Sequence, residues 1–242
     1  MRRRVSSVAI GLLVLSAAAA RAQSVDEIVA KNLQAKGGAE KWKTVSSMKM
    51  SGTVTMQGTD LPLTVYVKRP NFTRQEITIP PDKKLVQAFD GKTGWLINPM
   101  MGSDLPQELP SAISEMMRNT SDFDGPFVDY KAKGNTIELV GKEKLGTNEV
   151  YHLKITLKGG TVQHYYLDAT NGAELKKTEE VDMGTGQKQT LETEMTHQQV
   201  DGVMVPKVVK QLLNGNPVVQ MSIDKVEFNS AVDDALFKMP AK

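Results

Sequence analysis

The fold is decided by Tyr66-Val67-Lys68-Arg69-Pro70-Asn71, which closes a stretch of alternating apolar and polar residues. Side chains on a strand alternate between its two faces, so every second position from Leu61 to Val67 contributes to one apolar face. Arg69 is the next position on that face, at its rim. Because a buried guanidinium without partners is costly, we expect Arg69 to be held by polar groups. The stretch therefore predicts a concave apolar surface with an arginine at its edge.

Similar alternating runs fill most of the chain, and turns rich in glycine, proline and asparagine separate them. A spacing of roughly ten residues between such turns predicts an antiparallel meander. So many strands with one apolar face must curl, and no linker or repeat divides the chain. The predicted strands are 48–56, 61–69, 72–79, 84–89, 92–98, 136–143, 148–157, 161–168, 173–183, 188–198, 203–213 and 217–227.

Three segments have helical patterns. Ser24 and Glu27 form a capping box at the start of the first helix, and Gly37-Gly38 ends it. A short second helix is expected over 39–45. In the proline-rich middle, 99–127, one helix either covers the sheet as a movable lid or is part of the fixed core. Its apolar face is made by Leu109, Ile113, Met116 and Met117.

The turn at Gly159-Gly160 predicts which residues share a face in the second half. If Lys158 pairs with Thr161, Leu153 and Ile155 lie on the same apolar face as His164. His152 then lies on the opposite face, and His197 is on another strand. We therefore predict no metal site from the three histidines.

The first 22 residues predict an export signal, since a basic start is followed by an apolar run, 8–20, and by Ala20-Arg21-Ala22. The alternative, a membrane anchor, would need a longer apolar run. Removing this segment leaves 26 Lys+Arg against 28 Asp+Glu, because it carries four arginines and no acid. We expect one domain over residues 23–242.

Composition excludes several classes of protein. The chain contains no cysteine, so disulfides, cysteine metal sites and thiol catalysis are excluded. It lacks the clustered basic and aromatic residues of a nucleic-acid-binding protein. No Ser/His/Asp grouping or paired carboxylate predicts an enzyme, and no motif predicts a cofactor. The 13 methionines suit either a surface that accepts varied apolar ligands or ordinary core packing.

Three segments together resemble the periplasmic lipoprotein-sorting family, LolA and its relatives. They are Val67-Lys68-Arg69-Pro70-Asn71, then Asp90-Gly91-Lys92-Thr93-Gly94-Trp95-Leu96-Ile97-Asn98-Pro99, and near the end Val232-Asp233-Asp234-Ala235-Leu236-Phe237-Lys238-Met239-Pro240. The order of signal, helix, strands, helix and strands covers the whole chain. The sequence is longer than the best-known carriers and poorer in aromatic residues.

The resemblance implies a mainly β (α+β) fold, a single curved antiparallel sheet of about eleven strands that forms an unclosed barrel. Helices would cover its concave apolar face. It also implies a hydrophobic cavity that holds the acyl chains of a lipoprotein between two membranes. In the family, an arginine just before Pro-Asn holds the lid shut through hydrogen bonds to lid backbone. Arg69 matches it, and the alternative is an edge arginine paired with a nearby carboxylate.

The candidate site follows from these patterns and the resemblance. Arg69 is the candidate lid latch, and Leu109, Ile113, Met116 and Met117 form the inward face of the lid. The cavity wall is predicted from Met48, Met50, Val54, Met56, Leu61, Leu63, Val65, Val67, Trp95, Leu153, Ile155 and His164. The alternative for these wall residues is ordinary core packing, and for Trp95 it is packing on the lid.

The resulting prediction is a non-enzymatic, monomeric carrier in the periplasm. It would take acyl chains of a lipoprotein or a related lipid from an inner-membrane exporter to an outer-membrane acceptor. The alternative is a regulatory binding protein of the same fold that senses lipid or envelope stress.

Overall fold

The computed structural model describes residues 23–182 and 186–241. The predicted export signal, residues 1–22, lies outside the described residues. Within the described ranges, no helix combines the length and apolar character needed to cross a membrane.

The described chain forms thirteen strands, three α-helices and two short 3-10 helices. The α-helices are α1 (Val25–Ala35), α2 (Ala39–Thr44) and α3 (Ser111–Thr120), and the 3-10 helices are Pro99–Met101 and Asp234–Phe237. The strands are β1 (Ser47–Met56), β2 (Thr59–Lys68), β3 (Phe72–Ile79), β4 (Lys83–Phe89), β5 (Gly94–Asn98), β6 (Ser103–Glu108), β7 (Thr136–Leu145), β8 (Asn148–Thr156), β9 (Val162–Asp168), β10 (Glu174–Asp182), β11 (Lys188–Val200), β12 (Val203–Leu213) and β13 (Asn216–Phe228).

All thirteen strands belong to one antiparallel sheet in the order β6-β5-β4-β3-β2-β1-β13-β12-β11-β10-β9-β8-β7. The edge strands β6 and β7 do not pair with each other, so the barrel is unclosed. The predicted fold class is confirmed. Each predicted strand is present, and β6 is the additional one. Its Pro106 fits an edge strand, where proline is tolerated because one side of the strand has no partner.

The inner face of the sheet, on which the α-helices lie, is covered at one end by α1 and α2. Helix α1 begins at the predicted capping box, with Ser24 N donating to Glu27 Oε2 over 2.8 Å and Glu27 N donating to Ser24 Oγ over 3.3 Å. It buries Ile28 and Val29 against strands β8 and β9 and against Phe127.

Helix α2 anchors the neighbouring part of the inner face through Trp42. This side chain and Val45 pack with Val203 and Val205 of β12 and with Phe123 from the segment after α3. The helices therefore cover the end of the barrel where β2 stops at Lys68.

The outer face is covered locally by the C-terminal segment. Phe237 is fully buried there, and its ring stacks on Phe72 with 5.3 Å between centroids. The Arg74 Nη1 donates to the Leu236 carbonyl over 2.8 Å. Strands β3 to β5 are consequently packed on both faces.

Candidate functional site

Arg69, just after β2, binds polar groups from two separate segments. Its Nε donates to the Val45 carbonyl over 2.7 Å, and its Nη2 donates to the Trp42 carbonyl over 3.1 Å. Its Nη1 lies 2.6 Å from Asp124 Oδ1. Both carbonyls lie at the C-terminal end of α2, and the Trp42 carbonyl also accepts a hydrogen bond from Val45 N over 3.1 Å. Both sequence alternatives, backbone hydrogen bonds and a carboxylate pair, therefore occur together.

The surroundings of Arg69 tie the same segments together. The Trp42 Nε1 donates to Asp124 Oδ1 over 2.9 Å, so one carboxylate oxygen serves both side chains. The guanidinium lies 4.5 Å from the centre of the Phe123 ring, and Phe123 N donates to the Pro70 carbonyl over 3.1 Å. Within the described chain these contacts join Arg69 to α2 and to the segment after α3, rather than to α3 itself.

Helix α3 is held to both sides of the barrel opening. At one side, Gly94 N donates to Ser114 Oγ over 3.1 Å, and Leu109 N donates to the Gly94 carbonyl over 2.8 Å. At the other, Asn119 Nδ2 donates to Thr161 Oγ1, beside β9, over 3.3 Å. Of the predicted lid residues, Met117 is buried, whereas Leu109, Ile113 and Met116 are half-buried.

A cavity of about 210 Å³ lies under α1 and α2, against strands β10 to β12. Its wall combines apolar side chains with the Lys36–Glu174 ion pair, whose charged atoms are 2.8 Å apart. Burial alone would raise the pKa of Glu174, but the Lys36 charge and hydrogen bond lower it. Burial lowers the pKa of His197, against the opposing effect of Glu174. The apolar part of the wall is formed by Trp42, Met48, Phe123, Met195, Met204 and Val205.

A second apolar region lies at the end of the inner face remote from α2. Its buried centre is formed by Val54, Leu61, Leu63, Ile77 and Ile223. Around this centre, seven half-buried side chains belong to this cluster alone: Met50, Met56, Val65, Ile79, Leu85, Val219 and Met221. Since every member comes from a strand, we call it the strand-only cluster.

The predicted wall residues on β1 and β2 are divided between these regions. Six belong to the strand-only cluster, and of these Val54, Leu61 and Leu63 are buried while Met50, Met56 and Val65 are half-buried. Met48 and Val67 instead pack against the cluster around Trp42. Val219 and Met221 on β13 also belong to this cluster but were not predicted as wall residues, although the alternation of Val219, Met221 and Ile223 was a usable signal.

The prediction that Trp95 lies on the cavity wall is wrong. The ladder pairs Trp95 with Ala88 and Ala88 with Arg74, which places all three on the outer face. Trp95 is fully buried there, and its Nε1 donates to the Phe237 carbonyl over 2.7 Å. The apolar pattern of β4 and β5 was ambiguous because both of their faces are covered.

The predicted position of His164 is also wrong, because the register of its hairpin differs by one residue. Leu157 N donates to the Thr161 carbonyl over 2.9 Å, so residues 158–160 form a three-residue turn and Lys154 pairs with His164. A one-residue change moves every side chain to the other face. His164 therefore lies on the outer face, on the same side as His152.

The two outer-face histidines form a short polar chain. His152 Nε2 lies 2.8 Å from His164 Nδ1, and His152 Nδ1 lies 2.6 Å from Glu143 Oε1. Burial, with His152 and Lys154 nearby, lowers the pKa of His164. In the described ranges, no group of three or more His, Asp or Glu side chains is arranged to hold a metal ion.

Leu153 and Ile155 lie on the inner face, but they do not border free space in this structure. Both are fully buried in the cluster beneath α1 and Phe127. In this structure Leu153 and Ile155 are therefore core residues, as the alternative to a cavity wall proposed.

Solved structures resemble the chain in fold. A DUF1329 family protein from Desulfovibrio piger superposes with a TM-score of 0.60 at 13% identity, covering 88% of this chain and 97% of that one. A LolA superfamily protein from Nitrosomonas europaea gives a TM-score of 0.57 at 13% identity, covering 90% of this chain and 98% of its own. No protein-family model and no curated protein sequence matches the chain. The fold is therefore LolA-like.

Proposed function

We propose that the protein is a periplasmic carrier that shields the acyl chains of a lipoprotein or a related lipid. Residues 23–242 act as one domain, and residues 1–22 direct export. The observation that carries the proposal is the strand-only cluster. It is an apolar part of the inner face, and the residues around its buried centre are only half-buried. Burying an acyl chain there gains about 0.8 kcal/mol for each methylene group removed from water.

Methionine chemistry supports an apolar ligand of variable shape. Met50, Met56 and Met221 are half-buried members of the strand-only cluster, and Met116 and Met117 lie on α3. Methionine is flexible and polarisable, so such a surface adapts to different chains. The proposal assigns α3 as the lid and its apolar side chains as lid contacts.

Arg69 is proposed to set the closed state at the covered end. It forms hydrogen bonds to the end of α2 and an ion pair with Asp124, and its contacts with the lid helix α3 are indirect. A hydrogen bond to a charged group contributes about 1.5–3 kcal/mol. A ligand whose affinity differs by this amount between the closed and open states would shift the equilibrium between them.

The test uses protein purified from its own periplasm and mass spectrometry of its organic extract. We expect lipid or lipoprotein to be recovered in stoichiometric amounts. The purified, delipidated protein should also bind a fluorescent palmitate analogue. Absence of both signals would contradict the carrier function, while recovery of a protein partner without lipid would favour the regulatory alternative.

A paired substitution locates the binding surface. Met50→Gln nearly conserves volume but places an amide among apolar groups, and we expect about tenfold weaker palmitate binding, equivalent to about 1.4 kcal/mol. Met101→Gln is the matched control, because Met101 is 78% exposed on the 3-10 helix Pro99–Met101. Equal affinities of the two variants would exclude the strand-only cluster as the binding surface.

A further inference from the structure

The barrel wall is split between β9 and β10. Their ladder ends at Gln163 opposite Glu179. Beyond this point β9 stays with β8, as Val162 pairs with Thr156. Strand β10 stays with β11 as far as Asp182. Strand β9 therefore ends one residue past this pair, whereas β10 continues for three residues, 180–182, with no β9 partner beside it.

Two cavities meet at the split, one on each face of the sheet. The outer cavity measures about 490 Å³, and the inner one, beneath α3, measures about 270 Å³. Thr161, Glu179 and Glu180 border both. Because neighbouring strand residues point to opposite faces, Glu179 faces inward and Glu180 faces outward at the same place.

The chemistry of the two cavities differs. The inner cavity has apolar surface from Ala112, Met116 and Val181, and Glu115 and Asp182 also line it. The outer cavity is bordered by Thr178, Thr190, Lys188 and Glu180, and Thr190 Oγ1 donates to Glu180 Oε1 over 2.7 Å. An amphiphile with its chain inside and a zwitterionic head outside matches this division.

The inward carboxylate at the split is already paired. Glu179 Oε1 lies 2.6 Å from Lys177 Nζ, and its Oε2 accepts a hydrogen bond from Gln163 Nε2 over 2.8 Å. The side chain of Glu179 is only 3% exposed, so these partners offset the cost of burying its charge. The rim is thus preformed and polar, and it does not require a cation to neutralise it.

We infer that the split between β9 and β10 is a lateral portal through which the zwitterionic head of a bound lipid leaves the barrel while its acyl chain stays inside. The inference rests on the proposed carrier function and adds the route and the class of head group. A head held outside need not lose its hydration, which removes the main cost of enclosing a charged lipid.

The test compares two lipids with the same chain, palmitate and palmitoyl lysophosphatidylcholine. Glu180→Trp should obstruct the portal, because Glu180 borders both cavities, and its exposed position tolerates a large side chain. We expect at least tenfold weaker binding of the lysophospholipid and unchanged binding of palmitate. Val162→Trp, at the start of β9 on the other side of the portal and at a position that is 37% exposed, should give the same selective loss.

Glu138→Trp is the control, since Glu138 is an exposed glutamate on β7 that lines neither cavity. Circular dichroism verifies that each variant is folded. If both portal variants bind the lysophospholipid as tightly as the control, or lose both lipids equally, the portal is refuted. If the unmodified protein binds neither lipid, the carrier function itself fails, and the portal fails with it.

Discussion

At the scale of single residues, Arg69 shows how one side chain organises several segments. Its three donor nitrogens are used by two backbone carbonyls and one carboxylate. The guanidinium fork suits this arrangement, because it presents several donors in fixed directions. A lysine at this position would keep the charge but could not reproduce the geometry.

Arg69→Leu should therefore lower the free energy of unfolding by about 2 kcal/mol, since charge-assisted hydrogen bonds are lost and Asp124 keeps an uncompensated charge. The same variant should release a bound lipid at an altered rate. Urea unfolding and stopped-flow fluorescence measure the two effects. Arg69→Lys should recover only part of the stability.

The control for this prediction is Lys43→Leu. Lys43 is an exposed lysine on α2 that forms an i,i+3 pair with Glu40 over 3.5 Å. Exposed pairs of this kind contribute about 0.5 kcal/mol or less. Equal unfolding free energies for the Arg69 and Lys43 variants would contradict the assigned role of Arg69.

The histidines predict a pH dependence of stability. The pKa values of His164 and His197 lie below the ordinary value of 6.5, in both cases chiefly because of burial. The unfolded chain therefore binds more protons than the folded one as the pH falls below about 6.5, and stability must decrease. Lys154 and His152 also lower the pKa of His164, while Glu143 opposes them.

We expect the free energy of unfolding to fall between pH 7 and pH 5, and to fall less in His164→Gln and His197→Gln. Carboxylates with lowered pKa values, such as Glu76 and Glu174, act below their ordinary value of 4.5 and so outside this interval. Urea titrations at four pH values measure the slope. An unchanged slope in both variants would rule out these histidines as its source.

At the scale of elements, the sequence predicted the strands and helices well because their alternation and caps are local signals. It failed where an assignment depended on distant contacts. The face on which His164 lies depended on whether the turn before β9 has two or three residues. The burial of Trp95 on the outer face depended on the C-terminal segment around Phe237, 142 residues away. Strand β6 was not predicted because the prolines of 99–127 argue against a strand. Pro106 is acceptable in β6 because β6 lies at the edge of the sheet.

The contact between α3 and β5 depends on the absence of a side chain at Gly94. A Cβ atom there would lie 2.8 Å from Met117 Sδ and 3.2 Å from Ser114 Oγ. Gly94→Ala should displace α3 and cost about 1–2 kcal/mol, a value typical of overpacking against side chains that can move. Hydrogen exchange should become faster across 111–120.

Gly141→Ala is the matched control on β7. A Cβ atom at Gly141 meets no other atom within 4 Å, so alanine should be neutral or slightly stabilising there. If Gly94→Ala is equally neutral and leaves exchange in α3 unchanged, the close contact does not hold the helix.

The C-terminal segment should stabilise the sheet from outside. Phe237→Ala removes a fully buried ring that stacks on Phe72, and such truncations cost about 3–5 kcal/mol. Thermal unfolding measures the loss. Met239→Ala, at a position that is 39% exposed, should change stability by less than about 0.5 kcal/mol. A similar effect of both substitutions would mean that the segment does not anchor β3 to β5.

At the scale of the whole molecule, an unclosed sheet encloses an interior that is only partly filled. Alternation predicted the apolar face of β1 and β2, but it could not show which parts would lie under helices. Leu153 and Ile155 are covered by α1, whereas Met50 and Val65 remain half-exposed. The same pattern of residues therefore serves as core in one half of the barrel and as candidate binding surface in the other.

Whether α3 moves during loading can be tested with a reversible cross-link, because the chain has no cysteine of its own. Asn119→Cys with Thr161→Cys places two thiols where a 3.3 Å hydrogen bond now joins α3 to the start of β9. If α3 is a lid, the oxidised protein should take up the palmitate analogue at least tenfold more slowly, and a reducing agent should restore the rate.

The control cross-link joins Thr55→Cys and Asp60→Cys, which face each other in the β1–β2 hairpin and whose native side chains lie 2.6 Å apart. This pair constrains the wall without touching α3, so oxidation should leave uptake unchanged. Equal uptake by the oxidised and reduced forms of the α3 pair would show that α3 is fixed core. The ligand would then enter through the open end or the side of the barrel while α3 stays in place.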